Sequence, residues 1–169
     1  DLLRRVRYKG KPIILSTGGS TMGQIRQAIG ILGTDNLILL HCVANYPCKD
    51  EEINLRVMET LREEFSVPVG YSGHEVGILP TAMAVNIGAC VVERHITLDR
   101  SMPGSDHRAS LEPDELKQLV SIIRTGDINS LFFGIEYLEY SEVVLGNGIK
   151  RVHESEIPVM QKLRRVTDF

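Results

Sequence analysis

The sequence predicts an α/β fold of four βα units with parallel strands, either a small open sheet or half of an eight-stranded barrel. Three observations predict it. Near-continuous apolar runs recur at 12–16, 37–40, 67–71 and 89–92, and strands buried on both faces read that way. Segments with helical apolar spacing separate the runs. Each run also leads into polar, chemically useful residues, where ligand chemistry gathers in parallel α/β folds. Four units are too few to close a barrel.

Leu2, Leu3 and Val6 at helical spacing open the chain inside a helix that Gly10 stops. Pro12–Ser16 is the first strand, and Thr17-Gly18-Gly19-Ser20-Thr21 is a loop that becomes an N-cap. Ile25, Ala28, Ile29 and Leu32 share one face of the helix from Met22, closed by Gly33. Leu37–Leu40 leads to His41-Cys42, which read as buried structure because free cysteine behaves as a small core residue. A polar loop follows, then a helix bearing Leu55, Met58, Leu61 and Phe65.

Val67–Tyr71 is the third strand, with Pro68 tolerated at its start. Pro80 suits the first turn of the next helix, whose stretch Ala82–Ile87 is nearly all apolar. Ala89–Val92 is the fourth strand, followed by a long loop over 97–111. Glu112-Pro113-Asp114-Glu115 starts a helix with Leu116, Leu119, Val120 and Ile123 as its stripe. Over 131–145 the apolar spacing is mixed and decides no element. The tail from Gly146 is polar, and its basic cluster Lys162, Arg164 and Arg165 reads as a solvated helix face.

With 169 residues the chain holds one substantial core, and 43% hydrophobic against 24% charged residues excludes disorder. A net charge of −3 leaves no basic footprint for nucleic acid or anionic lipid. The apolar runs are too short for a membrane span, and no signal pattern stands at the start. Cys42, Cys48 and Cys90 lack finger spacing, so reduced thiols and a cytoplasmic setting are expected.

Two motifs organise the candidate chemistry: Gly70-Tyr71-Ser72-Gly73-His74-Glu75 and Glu93-Arg94-His95-Ile96-Thr97. His74 and His95 lie one βα unit apart, so they fall at the ends of neighbouring strands. Neutral imidazoles there suit a divalent metal that keeps open positions. From spacing alone, two histidines that merely cap their strands by hydrogen bonding to a loop are the favoured reading. Tyr46 is a hydroxyl donor or a packed aromatic. Asp106, in a loop with Pro103 and Gly104, reads on its own as turn chemistry, although a carboxylate there can also bind sugar hydroxyls. The Thr17–Ser20 loop before a helix offers backbone N–H groups to phosphate, without the lysine of a P-loop.

Six stretches resemble the sialic acid synthase family: Lys11–Gly18, Leu40–Val43, Tyr46-Pro47, Val69–His74, Glu93–Asp99 and Gly104–Pro113. The match runs in order from about Lys11 to Arg124. It implies half of a TIM (β/α)8 barrel whose full form condenses phosphoenolpyruvate with an N-acetylated hexose, N-acetylmannosamine or its 6-phosphate, using Mn or Mg. By motif, the resemblance makes His74 and His95 the metal ligands. It places Ser16 and Ser72 on phosphoenolpyruvate, and Tyr46 and Asp106 on the acceptor sugar.

Only the second four strands of the family's barrel are matched. The family's catalytic glutamate and phosphate-binding lysines belong to the first half, so no catalytic residue is assigned in this half. Residues 1–126 are therefore expected to be the half-barrel, and 127–169 an extension without a complete antifreeze-like domain. An enzyme portion needing the N-terminal half or a homodimer partner is the first reading. A non-catalytic fragment keeping a metal or sugar pocket is the second, and an unrelated open α/β domain the third.

Overall fold

A computed structural model of the protein describes residues 1–127 and 135–163. In chain order the elements are α1 (Leu2–Tyr8), β1 (Ile13–Ser16), α2 (Met22–Leu32), β2 (Leu37–Cys42), α3 (Asp50–Ile53), α4 (Val57–Phe65), β3 (Val69–Gly73), α5 (Leu79–Asn86), β4 (Val92–Arg94), α6 (Pro113–Thr125), α7 (Ile135–Leu145) and α8 (Ile157–Leu163). The strands form one parallel sheet in the order β1-β2-β3-β4. It curls as half of a barrel, as the sequence predicts.

The register divides the sheet into two faces. Ile13, Leu15, Leu37, Leu39, Val69 and Tyr71 point outward and join Ile25, Ile29, Leu32, Met58, Leu61 and Met83 of the helices in the main core. Ile14, Ser16, Leu40, Cys42, Gly70, Ser72 and Glu93 occupy the alternate positions and line the inner face. A second cluster joins Ala82 of α5 to Leu119 and Ile122 of α6.

Local signals set the helix ends. Thr21 caps α2 and Gln24 reciprocates, forming a capping box. Glu112 and Glu115 do the same for α6, with Pro113 in its first turn. Gly33 and Gly126 close these helices at positive φ.

The structure adjusts three expectations. First, β1 and β4 are only partly buried, although all four runs read as buried strands. They are the sheet's edge strands, and Ile14 on the inner face is 56% exposed. Secondly, β4 begins only at Val92, the last residue of the apolar run 89–92. Cys90 and Val91 still bond to β3, but the strand continues through Glu93 and Arg94, whose side chains find partners on Ser72 and Glu75. Similarly, β3 runs on to Gly73.

Thirdly, the segment after Gly146 is polar but docked. Asn54 binds Gly148 and Ile149, and the Thr60 hydroxyl donates 2.8 Å to the Gly148 carbonyl. Lys150 and Glu156 are buried against the strand ends. Part of the undecided stretch resolves into α7. Residues 131–134, and Arg164 and Arg165 of the basic cluster, lie outside the described residues; Lys162 is exposed on α8 as expected. Among the described residues, no helix is long and apolar enough to cross a membrane.

Candidate active site

β2, β3 and β4 deliver Cys42, Gly73 and Arg94 to one mouth of the sheet, and the residues just beyond them build the site. His74 follows β3 directly and His95 follows β4 directly. Their rings meet edge to face with centroids 5.3 Å apart. Tyr46, from the loop after β2, lies over both. Its ring is 4.0 Å from that of His74 and 5.3 Å from that of His95. Sequence reasoning thus named three residues that the fold brings into one cluster.

His74 is buried and its Nδ1 lies 2.6 Å from the Val43 carbonyl oxygen. A carbonyl only accepts, so Nδ1 carries the proton and the Nε2 lone pair is left for a ligand. Burial lowers the pKa of His74, against the opposing effect of the Val43 carbonyl. Burial also lowers that of His95, assisted by repulsion from His74. Both imidazoles are therefore held towards the neutral form that coordinates metals. Burial pushes the Tyr46 hydroxyl up to about 12, so it stays protonated and able to donate.

Asp106 approaches from the loop after β4, with Oδ2 3.8 Å from His95 Nδ1. It borders a cavity of about 340 Å³ whose wall includes His95, Ser105, His107 and Ser110. The Thr97 hydroxyl lies 2.8 Å from His107 Nδ1 and fixes that wall. Ser72 and Ser16 flank Cys42 on the inner face, both within hydrogen-bonding reach of its thiol. The Ser72 hydroxyl donates 2.7 Å to Glu93 Oε1, while Ser16 is exposed towards the barrel interior.

The histidine pair fits a metal that takes few protein ligands. Among the described residues, no group of three or more His, Cys, Asp or Glu side chains is arranged to hold an ion. An imidazole whose other ring nitrogen donates to a carbonyl is in the tautomer that a metal-ligating histidine uses.

Behind the histidines lies a buried network that the sequence reading does not assign. Glu75 is fully buried and accepts bonds from the Tyr71 hydroxyl at 2.9 Å, the Thr81 hydroxyl at 2.6 Å and Arg94 Nη1 at 2.8 Å. Arg94 also donates to the carbonyls of Gly77 and Ala109. Glu75 directly follows His74, and Arg94 directly precedes His95. The signal in the sequence is limited to an acidic and a basic residue that each adjoin one of the histidines.

The Thr17–Ser20 loop, a candidate for phosphate, meets a carboxylate from the chain itself. The Gly19 N–H donates 2.8 Å to Glu156 Oε1.

The NeuB family model matches residues 1–129. The chain belongs to the NeuB family. N,N'-diacetyllegionaminic acid synthase of Legionella pneumophila is 41% identical over 170 residues, covering 96% of this chain and 44% of that protein. The spore coat polysaccharide biosynthesis protein spsE of Bacillus subtilis superposes with a TM-score of 0.76 at 33% identity, over 93% of this chain and 45% of that one. The N-acetylneuraminic acid synthetase of Leptospira borgpetersenii superposes at 0.70 with 34% identity, over 98% and 54%. This NeuB chain therefore spans about half the length of the relatives it matches.

Proposed function

We propose that this NeuB chain supplies the C-terminal half of a nonulosonic acid synthase barrel. The barrel condenses phosphoenolpyruvate with an N-acetylated amino sugar. The observation that carries the reading is the His74–His95–Tyr46 cluster at the carboxyl mouth of the strands. His74 and His95 hold a divalent cation, Mn or Mg, which supplies Lewis-acid polarisation of the acceptor's carbonyl.

The remaining assignments concern binding. Ser16 and Ser72, on the inner face, hydrogen-bond the anionic groups of phosphoenolpyruvate. For Ser72 this means exchanging its present bond to Glu93 for one to the ligand. Tyr46 donates its hydroxyl, and the Asp106 carboxylate accepts from sugar hydroxyls in the adjoining cavity. The groups that activate phosphoenolpyruvate come from the other half of the barrel, in a longer chain or a second one.

The experiment is complementation. The chain is mixed with the N-terminal half of the Legionella relative and supplied with Mn, phosphoenolpyruvate and an N-acetylated amino sugar. Phosphate release that needs both halves, and that falls at least ~100-fold in His74→Ala or His95→Ala, is the expected result. Metal bound at the histidines with no turnover in an assembled complex would support a non-catalytic, sugar-binding fragment instead. Unchanged Mn affinity in both alanine variants would remove the site.

A further inference from the structure

The C-terminal segment reaches the site through one short stretch of β2 and its loop. Lys150 Nζ donates 3.1 Å to the Cys42 carbonyl. The Ala44 N–H donates 2.7 Å to Glu156 Oε1. Between those two anchors lies Val43, whose carbonyl accepts the Nδ1 proton of His74. Tyr46, stacked on the same imidazole, lies two residues beyond Ala44.

Glu156 is built for this position. It is fully buried, and its carboxylate accepts three backbone N–H groups, from Gly19 at 2.8 Å, Ala44 at 2.7 Å and His153 at 2.8 Å. Charge-assisted bonds of this kind are short and directional. The Gly19 bond draws the β1 loop to the same point. Met160 of α8 packs so closely on Gly19 that a Cβ there would lie 2.8 Å from its Cγ, leaving that loop little freedom. Lys150 is buried too; burial lowers its pKa, and the nearby Glu156 charge opposes the shift.

We infer that Glu156, supported by Lys150, is a positioning residue for His74, acting through the Ala44 N–H and the Val43 carbonyl to fix the imidazole's tautomer and direction. Glu156 lies beyond residues 1–129, the segment matched by the family model. The inference rests on the metal reading only for its consequence, a correctly aimed Nε2, and not for its geometry. Outer partners that orient a ligating histidine typically change metal affinity by about 10–100-fold.

The test uses the full chain, labelled with 15N at histidine, and compares Glu156→Ala and Glu156→Gln with the parent. In Glu156→Ala the 15N shifts of His74 are expected to move from a single Nδ1–H tautomer towards a mixture. Mn affinity at the site falls about 10–100-fold in parallel. Glu156→Gln keeps an oxygen where Gly19 and Ala44 donate, although its amide nitrogen cannot accept the His153 N–H, and the parent tautomer is expected to persist. If the alanine variant does not fold, Glu156→Asp takes its place. It keeps the charge but is one methylene too short for all three N–H groups, and the same 15N change is expected.

A folded Ala or Asp variant with the parent tautomer and parent Mn affinity overturns the inference. So does a uniform loss of stability with His74 unmoved. The tautomer shift without Mn binding in any form, parent included, would sustain the positioning role while removing the metal reading.

Discussion

Arg94 and Glu75 form an ion pair at 2.8 Å whose side chains are 2% and 0% exposed, directly behind the two histidines they adjoin in sequence. Neither charge has water to fall back on, so the pair holds only while both partners are present. Arg94→Met strands the Glu75 carboxylate and is expected to destabilise the chain by about 3–5 kcal/mol. The double variant with Glu75→Met should recover part of that loss, because the uncompensated charge is gone. Urea unfolding of the single and double variants measures both. A single-variant loss under about 1 kcal/mol would show that the pair is not what holds these strand ends.

His41 predicts a pH dependence. It is buried, and burial depresses its pKa from 6.5 to about 3, while Nε2 bonds the Ile53 carbonyl. The unfolded chain binds the proton near pH 6.5 and the folded chain does not until about pH 3. Stability is therefore fully present above about 6.5 and is lost as pH falls, at up to about 1.4 kcal/mol per pH unit for this group. His41→Gln, which can still donate to Ile53, should flatten the stability curve between about pH 6 and 4 by roughly one proton's slope. An unchanged slope would contradict the assignment.

Gly70 is required by close backbone approach. A Cβ there would stand 2.3 Å from the Val91 carbonyl oxygen and 2.8 Å from Leu40 Cδ2. Gly70→Ala must separate β3 from β4 and is expected to cost about 1–3 kcal/mol or more. Hydrogen exchange should locate the damage at Tyr71, whose N–H bonds Val91. Protection lost evenly over the whole sheet would point to another cause.

Ile14 distinguishes the stability of this chain from its capacity to assemble. It is 56% exposed on the inner face. Ile14→Lys should therefore leave the stability of the isolated chain within about 0.5 kcal/mol. In the complementation assay the introduced ammonium would face the interior of a closed barrel and should abolish association. Sedimentation of the mixed halves reads the outcome. Normal assembly of the Ile14→Lys variant would mean that the inner face is not buried by the other half.

The sequence made the strands and most helices legible because their signals are local: apolar runs between Gly and Pro, a Thr cap at Thr21, a capping box at Glu112. It located His74, His95 and Tyr46 because strand ends gather in space whenever the sheet is parallel. The extent of β4 was not legible, since Glu93 and Arg94 look like solvent residues until their partners are known. Lys150 and Glu156 were hidden for the same reason. A charged residue buried against backbone carries no periodicity, and the groups that satisfy it are set only by the fold.

The Glu156 bond to Gly19 closes a span of 137 residues. The sheet itself grows by nearer pairings, Ile13 with Leu37 and Leu39 with Val69. Shorter loops close first, so on the ribosome the sheet can form while the residues that brace its mouth are still being made. Acquiring a shape and acquiring a binding surface are thus separate events in this chain's biogenesis. A chain ending shortly before Lys150 would keep the pairings that build the sheet and lose the Glu156 bonds to Gly19 and Ala44, leaving its imidazoles unbraced.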